Sequence, residues 1–330
     1  MRLGVFAVLL FLIVGCQQHS RFYIASFDNP VNIKINRFDI DFINIDTNQV
    51  SENLSALAHK YPSFFPVFIT DVLMMNPYDT TGNTQQIKDF LHDKTFIDVN
   101  TQVLEEFKDV SSVEKELSTA FSYIKHYFPD ISIPEIYFYV SGFNQQYLIN
   151  NEFIGIGTDL YLGADLPLYK EITHEYLIPN MRRELIVTDL LSLFLHKQFP
   201  FKGEVNLLNS MIYEGKILFL IQEFTSKQEN LIIGYNEEDI KWCKIHEKHI
   251  WSRIIEQKHL YSTDYFLINQ YINVAPFTSP VSQDSPERLG VWTGWQIIKS
   301  YMQNNKTTDL QELMNNTNYQ SILEHSHYRP

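Results

Sequence analysis

The stretch MRRELIVTDLLSLFLHKQ, residues 181–198, decides the fold. Leu185, Ile186, Val187, Leu190, Leu191, Leu193, Phe194 and Leu195 leave a helix through it without a wide polar face. A helix apolar nearly all round is a central one. Pro200 and Gly203 end it. A second long helix of similar character follows, EVNLLNSMIYEGKILFLIQEF, residues 204–224. Each carries an acid in apolar surroundings, Asp189 on the first and Glu214, just before Gly215, on the second. An unpaired buried charge is costly. Each carboxylate must therefore meet a partner, with Arg182, Arg183 and Arg288 as candidates, or reach a cleft.

Downstream the chain stays helical. Asn236 can cap a helix running to Lys258. Tyr261 to Pro286 is irregular, with Pro276, Pro280 and Pro286. Ser285 at the N-cap and Pro286 at N1 then predict a helix to about Asn304, with Val291, Trp295, Ile298 and Met302 on one stripe. Gly290 and Gly294 share a face of it and let a neighbouring element come close. Thr308, with Gln311 three residues on, opens a short last helix.

Upstream, Val31 to Phe38 alternates apolar and polar residues like a half-buried strand. Gln49 to Lys60 reads as a helix, followed by the aromatic knot YPSFFP, residues 61–66, where proline stops the helix. Thr80-Thr81-Gly82-Asn83 reads as a turn before two short helices. Ser111 and Glu114 have capping-box spacing for a helix that Pro129 ends. Glu135–Ser141 and Glu152–Gly157 read as strands of one small sheet. The expectation is an α+β fold: a mainly helical body, residues 31–330 as a single domain, with a small N-terminal β-sheet.

The chain of 330 residues has 45% hydrophobic residues, enough for a sizeable core, and a formal net charge of -13. That balance argues against nucleic acid, whose affinity comes mainly from Lys and Arg on phosphates. The N-terminus is Met1 and Arg2, then an apolar run Leu3–Val14, then Gly15-Cys16 and polar Gln17, Gln18 and His19. The run is shorter than the roughly 20 residues a spanning helix needs and has the length of a signal-peptide core. Ile13-Val14-Gly15-Cys16 resembles the lipobox of bacterial lipoproteins. The resemblance implies a signal over residues 1–16, with Cys16 lipidated as the mature N-terminus, and residues 17–30 as a tether. The membrane is then a partner through the anchor, and several acyl chains, at about 0.8 kcal/mol per buried CH₂, make it lasting. With Cys16 lipidated, Cys243 has no intrachain disulfide partner.

Few residues carry metal chemistry. His174-Glu175 starts like the zinc helix His-Glu-x-x-His, but Ile178 stands at the fourth position after His174 and Pro179 follows, so a surface turn is expected. Cys243 and His246 share a helix face, His249 lies off it, and no second ligand pair is evident. A solvated helix with an unpaired thiol is the reading there. His325-Ser326-His327 reads as a frayed tail. No Gly-x-Ser-x-Gly elbow and no Gly-rich phosphate loop is present. Neither a metal nor a cofactor is expected.

Several strings resemble the gliding motility lipoprotein GldB family: Tyr61–Pro66, Tyr127–Pro129, Thr158–Gly163 (TDLYLG), Met211–Leu218 (MIYEGKIL), Leu260–Asp264, Asn273–Phe277 and Gly294–Met302. The likeness covers nearly the whole mature chain. That family in turn resembles, more distantly, zincin-like metallopeptidases, in which one helix carries His-Glu-x-x-His and the next a Glu-Gly pair with the third ligand. Glu214-Gly215 matches that pair. The first helix has Glu184, Thr188, Asp189 and Ser192, but no histidine before His196. The resemblance implies a zincin-like architecture without the zinc, since catalytic Zn²⁺ takes about three protein ligands. It further implies a non-catalytic, lipid-anchored envelope component of the gliding machinery, with other envelope or gliding proteins as partners. The absence of an Asp after Cys16 points to the outer membrane, facing the periplasm. An old cleft is expected around Asp189, Glu214, Arg288, Trp292 and Trp295. The rival reading is a hydrolase acting on peptide or cell-wall substrates.

Overall fold

The computed structural model describes residues 20–76 and 80–330. The signal, the lipobox and Cys16 lie outside the described residues. Four short strands form one sheet, β1 (Ile35–Arg37), β2 (Glu135–Tyr139), β3 (Tyr147–Ile149) and β4 (Phe153–Gly157), in the order β1-β2-β4-β3. β1, β2 and β4 run parallel, and β3 pairs antiparallel with β4. All of β4 is buried, as a parallel strand covered on both faces must be. The knot at 61–66 lays Phe64 flat on Tyr137, ring centroids 4.4 Å apart, and Phe68 against Phe38 at 4.7 Å. This aromatic layer closes one face of the sheet.

The remaining body is helical. The main elements are α1 (Val50–Lys60), α2 (Thr80–His92), α3 (Lys94–Glu106), α4 (Ser111–Tyr127), α5 (Ile186–Gln198), α6 (Leu207–Phe224), α7 (Glu237–Glu256), α8 (Tyr265–Ile272), α9 (Leu289–Asn304), α10 (Leu310–Asn315) and α11 (Tyr319–Ser326). The α+β, mainly helical expectation is met. As read from the sequence, α5 and α6 are central, with Leu190, Leu191, Leu195, Met211, Ile212, Ile217 and Leu220 wholly buried. α6 and α9 cross at Gly215 and Gly294. A Cβ on Gly215 would lie 2.3 Å from the Gly294 backbone, and one on Gly294 would lie 1.7 Å from the Met211 carbonyl oxygen. Two glycines therefore fix how closely the two helices approach. Gly290, one turn earlier, meets Tyr271 of α8 in the same way. Among the described residues no helix is long and apolar enough to cross a membrane.

The structure departs from the sequence reading at several helix ends. Residues 80–83 are not a separate turn but the opening of α2. Ser111 does not cap α4, which starts at Ser111 itself and has no side-chain cap. Glu114 instead accepts hydrogen bonds from the Ile35 backbone N–H (3.0 Å) and Lys34 Nζ (2.9 Å), so it fastens β1 to α4. Ser285 and Pro286 precede α9 without starting it. Arg288 holds a left-handed conformation (φ 53) at its N-cap, and the Leu289 N–H is taken by Thr278 Oγ1 at 3.1 Å. Asp309, rather than Thr308, caps α10. The C-terminal tail is not frayed. Ser326 is buried, and its carbonyl accepts from Ser300 Oγ (2.7 Å) and Asn304 Nδ2 (2.8 Å) of α9. Residues 20–30, within the expected tether, run along the body. Phe22 is buried, Arg21 donates to the Thr308 carbonyl at 2.8 Å, and the Ile24 N–H donates to Tyr123 Oη at 3.1 Å.

Candidate functional site

The site is built from the TDLYLG loop after β4. Thr158 Oγ1 donates to the Tyr139 carbonyl at 2.9 Å. The fully buried Asp159 carboxylate accepts from the Ser141 N–H (2.9 Å), Ser141 Oγ (2.9 Å) and the Phe143 N–H (2.7 Å). Tyr169 Oη adds a bond to the Asp159 carbonyl at 2.7 Å. The loops after β2 and β4 are thereby locked together, and the next residue but one, Tyr161, is aimed at α5. Its hydroxyl donates to Asp189 Oδ2 at 2.8 Å. Tyr147 of β3 reaches the same oxygen at 3.2 Å, and the two hydroxyls lie 2.8 Å apart. Gln146 Nε2 donates to Tyr161 Oη at 3.0 Å.

Burial pushes both tyrosine hydroxyls well above their ordinary range, so they stay protonated donors. Burial also pushes the Asp189 carboxyl up to about 6, against the tyrosine hydrogen bonds and the charges of Arg288 and Arg182. Asp189 is half-buried at the edge of a cavity of about 270 Å³. Gln146, Tyr147, Asn180, Ser192 and Arg288 are among the cavity's other polar walls, and Leu177, Met181, Leu218, Ile233 and Val274 among its apolar ones.

Glu214 is elsewhere. Both its oxygens lie 3.1 Å from His196 Nε2, two turns along α5 from Asp189. His196 Nδ1 meets the Ser192 carbonyl at 2.7 Å. A carbonyl and a carboxylate only accept, so both ring nitrogens donate and the ring is the imidazolium. Burial opposes that charge, but the hydrogen bond and charge of Glu214 outweigh it and raise the His196 pKa. Ser192 Oγ is 3.4 Å from Nδ1. That nitrogen already donates to the carbonyl, so it cannot take the serine proton and no Ser–His relay exists in this arrangement.

Of the five residues expected around one cleft, the cavity brings together Asp189 and Arg288. Glu214 is outside it, closed by His196. Trp292 and Trp295, on α9, are buried in the core, 2% and 0% exposed, and do not line it. Both were expected at the cleft, but they pack inside the core, and Lys299 Nζ sits 3.9 Å over the Trp295 ring. None of the three arginines considered as partners of Asp189 pairs with it among the described residues; the two tyrosines do instead. Tyr161 lies inside a string already singled out, and His196 is on the same face of α5 as Asp189 and Ser192, so a helix-face reading could have found both. Tyr147 left no such signal. Lys216, inside the string Met211–Leu218, is a buried lysine whose ammonium donates to the Asn316 carbonyl at the end of α10 (2.5 Å) and which burial pulls down to about 8.

The remaining candidates are placed as follows. His174 and Glu175 are on an exposed turn, as expected. Cys243 is on α7, but its thiol is buried, not on a solvated face, and burial pushes it up. His246 stacks on Trp242 at 4.2 Å, and His249 is exposed. Among the described residues no three His, Cys, Asp or Glu side chains gather closely enough to hold a metal ion.

A family model described as "Gliding motility protein GldB" matches residues 23–330. No curated protein and no solved structure matches the chain.

Proposed function

From the premise that the chain belongs to the gliding motility protein GldB family, we propose that it is a lipid-anchored component of the gliding machinery that works by binding. Cys16 carries the lipid, the outer membrane holds it, and the body faces the periplasm, where other envelope or gliding proteins are its partners. The leader with Gly15-Cys16 supports the anchor. One observation supports binding over catalysis, the His196–Glu214 pair at 3.1 Å. In the zincin-like peptidases that the family distantly resembles, the glutamate before the glycine would be a metal ligand. Here that carboxylate is occupied by an imidazolium, and the histidine is thereby unfit as a base or ligand. The degenerate zincin-like cleft then survives only at its Asp189 end.

The test is made in the native cell. Radiolabelled palmitate should enter the wild-type protein but not Cys16→Ala, and cells with Cys16→Ala as their only copy should lose gliding. A wild-type chain that stays unlabelled in the membrane fraction overturns the anchor. Gliding that survives deletion of the whole chain overturns the role.

A further inference from the structure

The Asp189 cavity has a second charge that its own structure leaves unused. Asp189 Oδ2 accepts both tyrosine hydroxyls, while Oδ1 has no hydrogen bond from the described residues. Across the same cavity, Arg288 spends Nη1 on the Ile233 carbonyl at 3.0 Å, and its guanidinium has no other hydrogen-bond partner among them. The two opposite charges feel each other, since Arg288 lowers the Asp189 pKa, yet they make no ion pair. Arg288 is also held left-handed, at φ 53, a backbone state a non-glycine residue keeps only when its surroundings impose it. A carboxylate and a guanidinium facing one cavity without touching are complementary to a molecule with an ammonium and a carboxylate of its own.

We propose that this cavity binds a small zwitterion, an α-amino acid with an aliphatic side chain. The ligand ammonium takes Asp189 Oδ1, and its carboxylate takes the free edge of the Arg288 guanidinium as a charge-assisted pair. Its side chain lies on Leu177, Met181 and Ile233. A volume of about 270 Å³ suits a ligand of that size and leaves no room for a folded partner. The tyrosine pair fixes the carboxylate orientation in advance, which lowers the ordering cost on binding. The proposal deepens the binding reading of the cleft and rests on it, not on the lipid or on gliding.

The probe is L-leucine, titrated calorimetrically into the full chain purified in detergent. N-acetyl-L-leucine lacks the ammonium and isoamylamine lacks the carboxylate. Leucine should bind with a Kd of about 1 mM or tighter, and each control about tenfold weaker or worse. Asp189→Asn keeps an acceptor for the tyrosines and should bring leucine and N-acetyl-leucine within about threefold of each other, a smaller gap than one charged hydrogen bond gives. A folded wild-type protein that shows no heat with leucine overturns the proposal. So does equal binding of leucine and both controls, which would mark a merely apolar pocket. Leucine binding by an unlabelled chain would leave this site intact while the anchor failed, so the two readings fail separately.

Discussion

Two acids on neighbouring central helices meet opposite fates. Asp189 keeps one oxygen free beside a cavity, with neutral hydroxyl donors behind it. Glu214 has both oxygens on a single imidazolium and does not line the Asp189 cavity. Both lie in apolar helices, and both were candidates for the same cleft. The difference comes from what the rest of the chain brings to each: a locked loop carrying Tyr161 to one, and a histidine further along α5 to the other. A carboxylate with an oxygen left open beside a cavity stays available for a ligand cation, whereas one whose two oxygens already face an imidazolium does not.

Both sites depend on the α6–α9 crossing, since Glu214 precedes Gly215 and Arg288 opens the helix that carries Gly294. Gly294→Ala puts a Cβ within 1.7 Å of the Met211 carbonyl oxygen, backbone that cannot step aside. It should cost about 3 kcal/mol or more, read as a drop in the urea midpoint. A variant as stable as wild type would mean that the crossing does not hold the two sites in place.

The next test separates the acids by pH. The folded Asp189 carboxyl titrates near 6 and the unfolded one near 3.8, so between those values the folded state holds the extra proton. Stability from this group is then full below about pH 4 and is lost as the pH rises to about 6, by up to about 3 kcal/mol. Tyr147, Tyr161, Arg288 and Arg182 are the groups facing it, and burial keeps both tyrosine hydroxyls protonated throughout that window. Asp189→Asn should therefore be more stable than wild type at pH 7 and no more stable at pH 4. A difference that does not vary with pH would show the carboxyl to be ordinary.

These contrasts show what the sequence could carry. The two apolar helices, the stop at Pro200 and the strand at 135–139 were legible because apolar periodicity and proline act locally. The cap of Asn236 was legible too, and its capping box with Asp239 is present. Ser111 and Ser285 have equally good local credentials and failed, because Glu114 was claimed by β1, 79 residues away, and Leu289 by Thr278 in the preceding loop. The site divides likewise. Asp189 and Arg288 could be named from their burial cost and charge. Their separation without pairing could not, since it depends on Tyr147 and Tyr161 arriving from the sheet. The tryptophans were misassigned because a large aromatic on an apolar stripe serves a core as well as a cleft.

The His196–Glu214 pair should show the second pH window. Burial works against the charged ring and Glu214 works for it, with the folded pKa ending above 6.5. The stabilisation is then fully present below pH 6.5 and is lost as the pH rises through the folded value. With His196 a third exposed on its side chain, the effect is about 1 kcal/mol. Glu214→Gln should flatten that slope and leave the Asp189 window below pH 6 untouched. A change in both windows would mean that the two acids form one electrostatic unit.

The smallest effect is expected at Ser192, and it bears on whether the closed end of α5 is truly inert. Its hydroxyl is the only one near His196 among the described residues that also lines the Asp189 cavity, so a serine hydrolase would have to start there. The Nδ1 proton blocks it as long as the ring donates to the Ser192 carbonyl. Ser192→Ala removes the hydroxyl and keeps that carbonyl, so stability should stay within about 0.5 kcal/mol and gliding should be unchanged. The enzyme reading requires the opposite, a peptide- or cell-wall-cleaving activity in the wild type that Ser192→Ala abolishes with the fold intact. Measuring turnover with both chains decides it, because no rearrangement of the ring leaves Nδ1 bonded to the carbonyl and free to accept a proton at once.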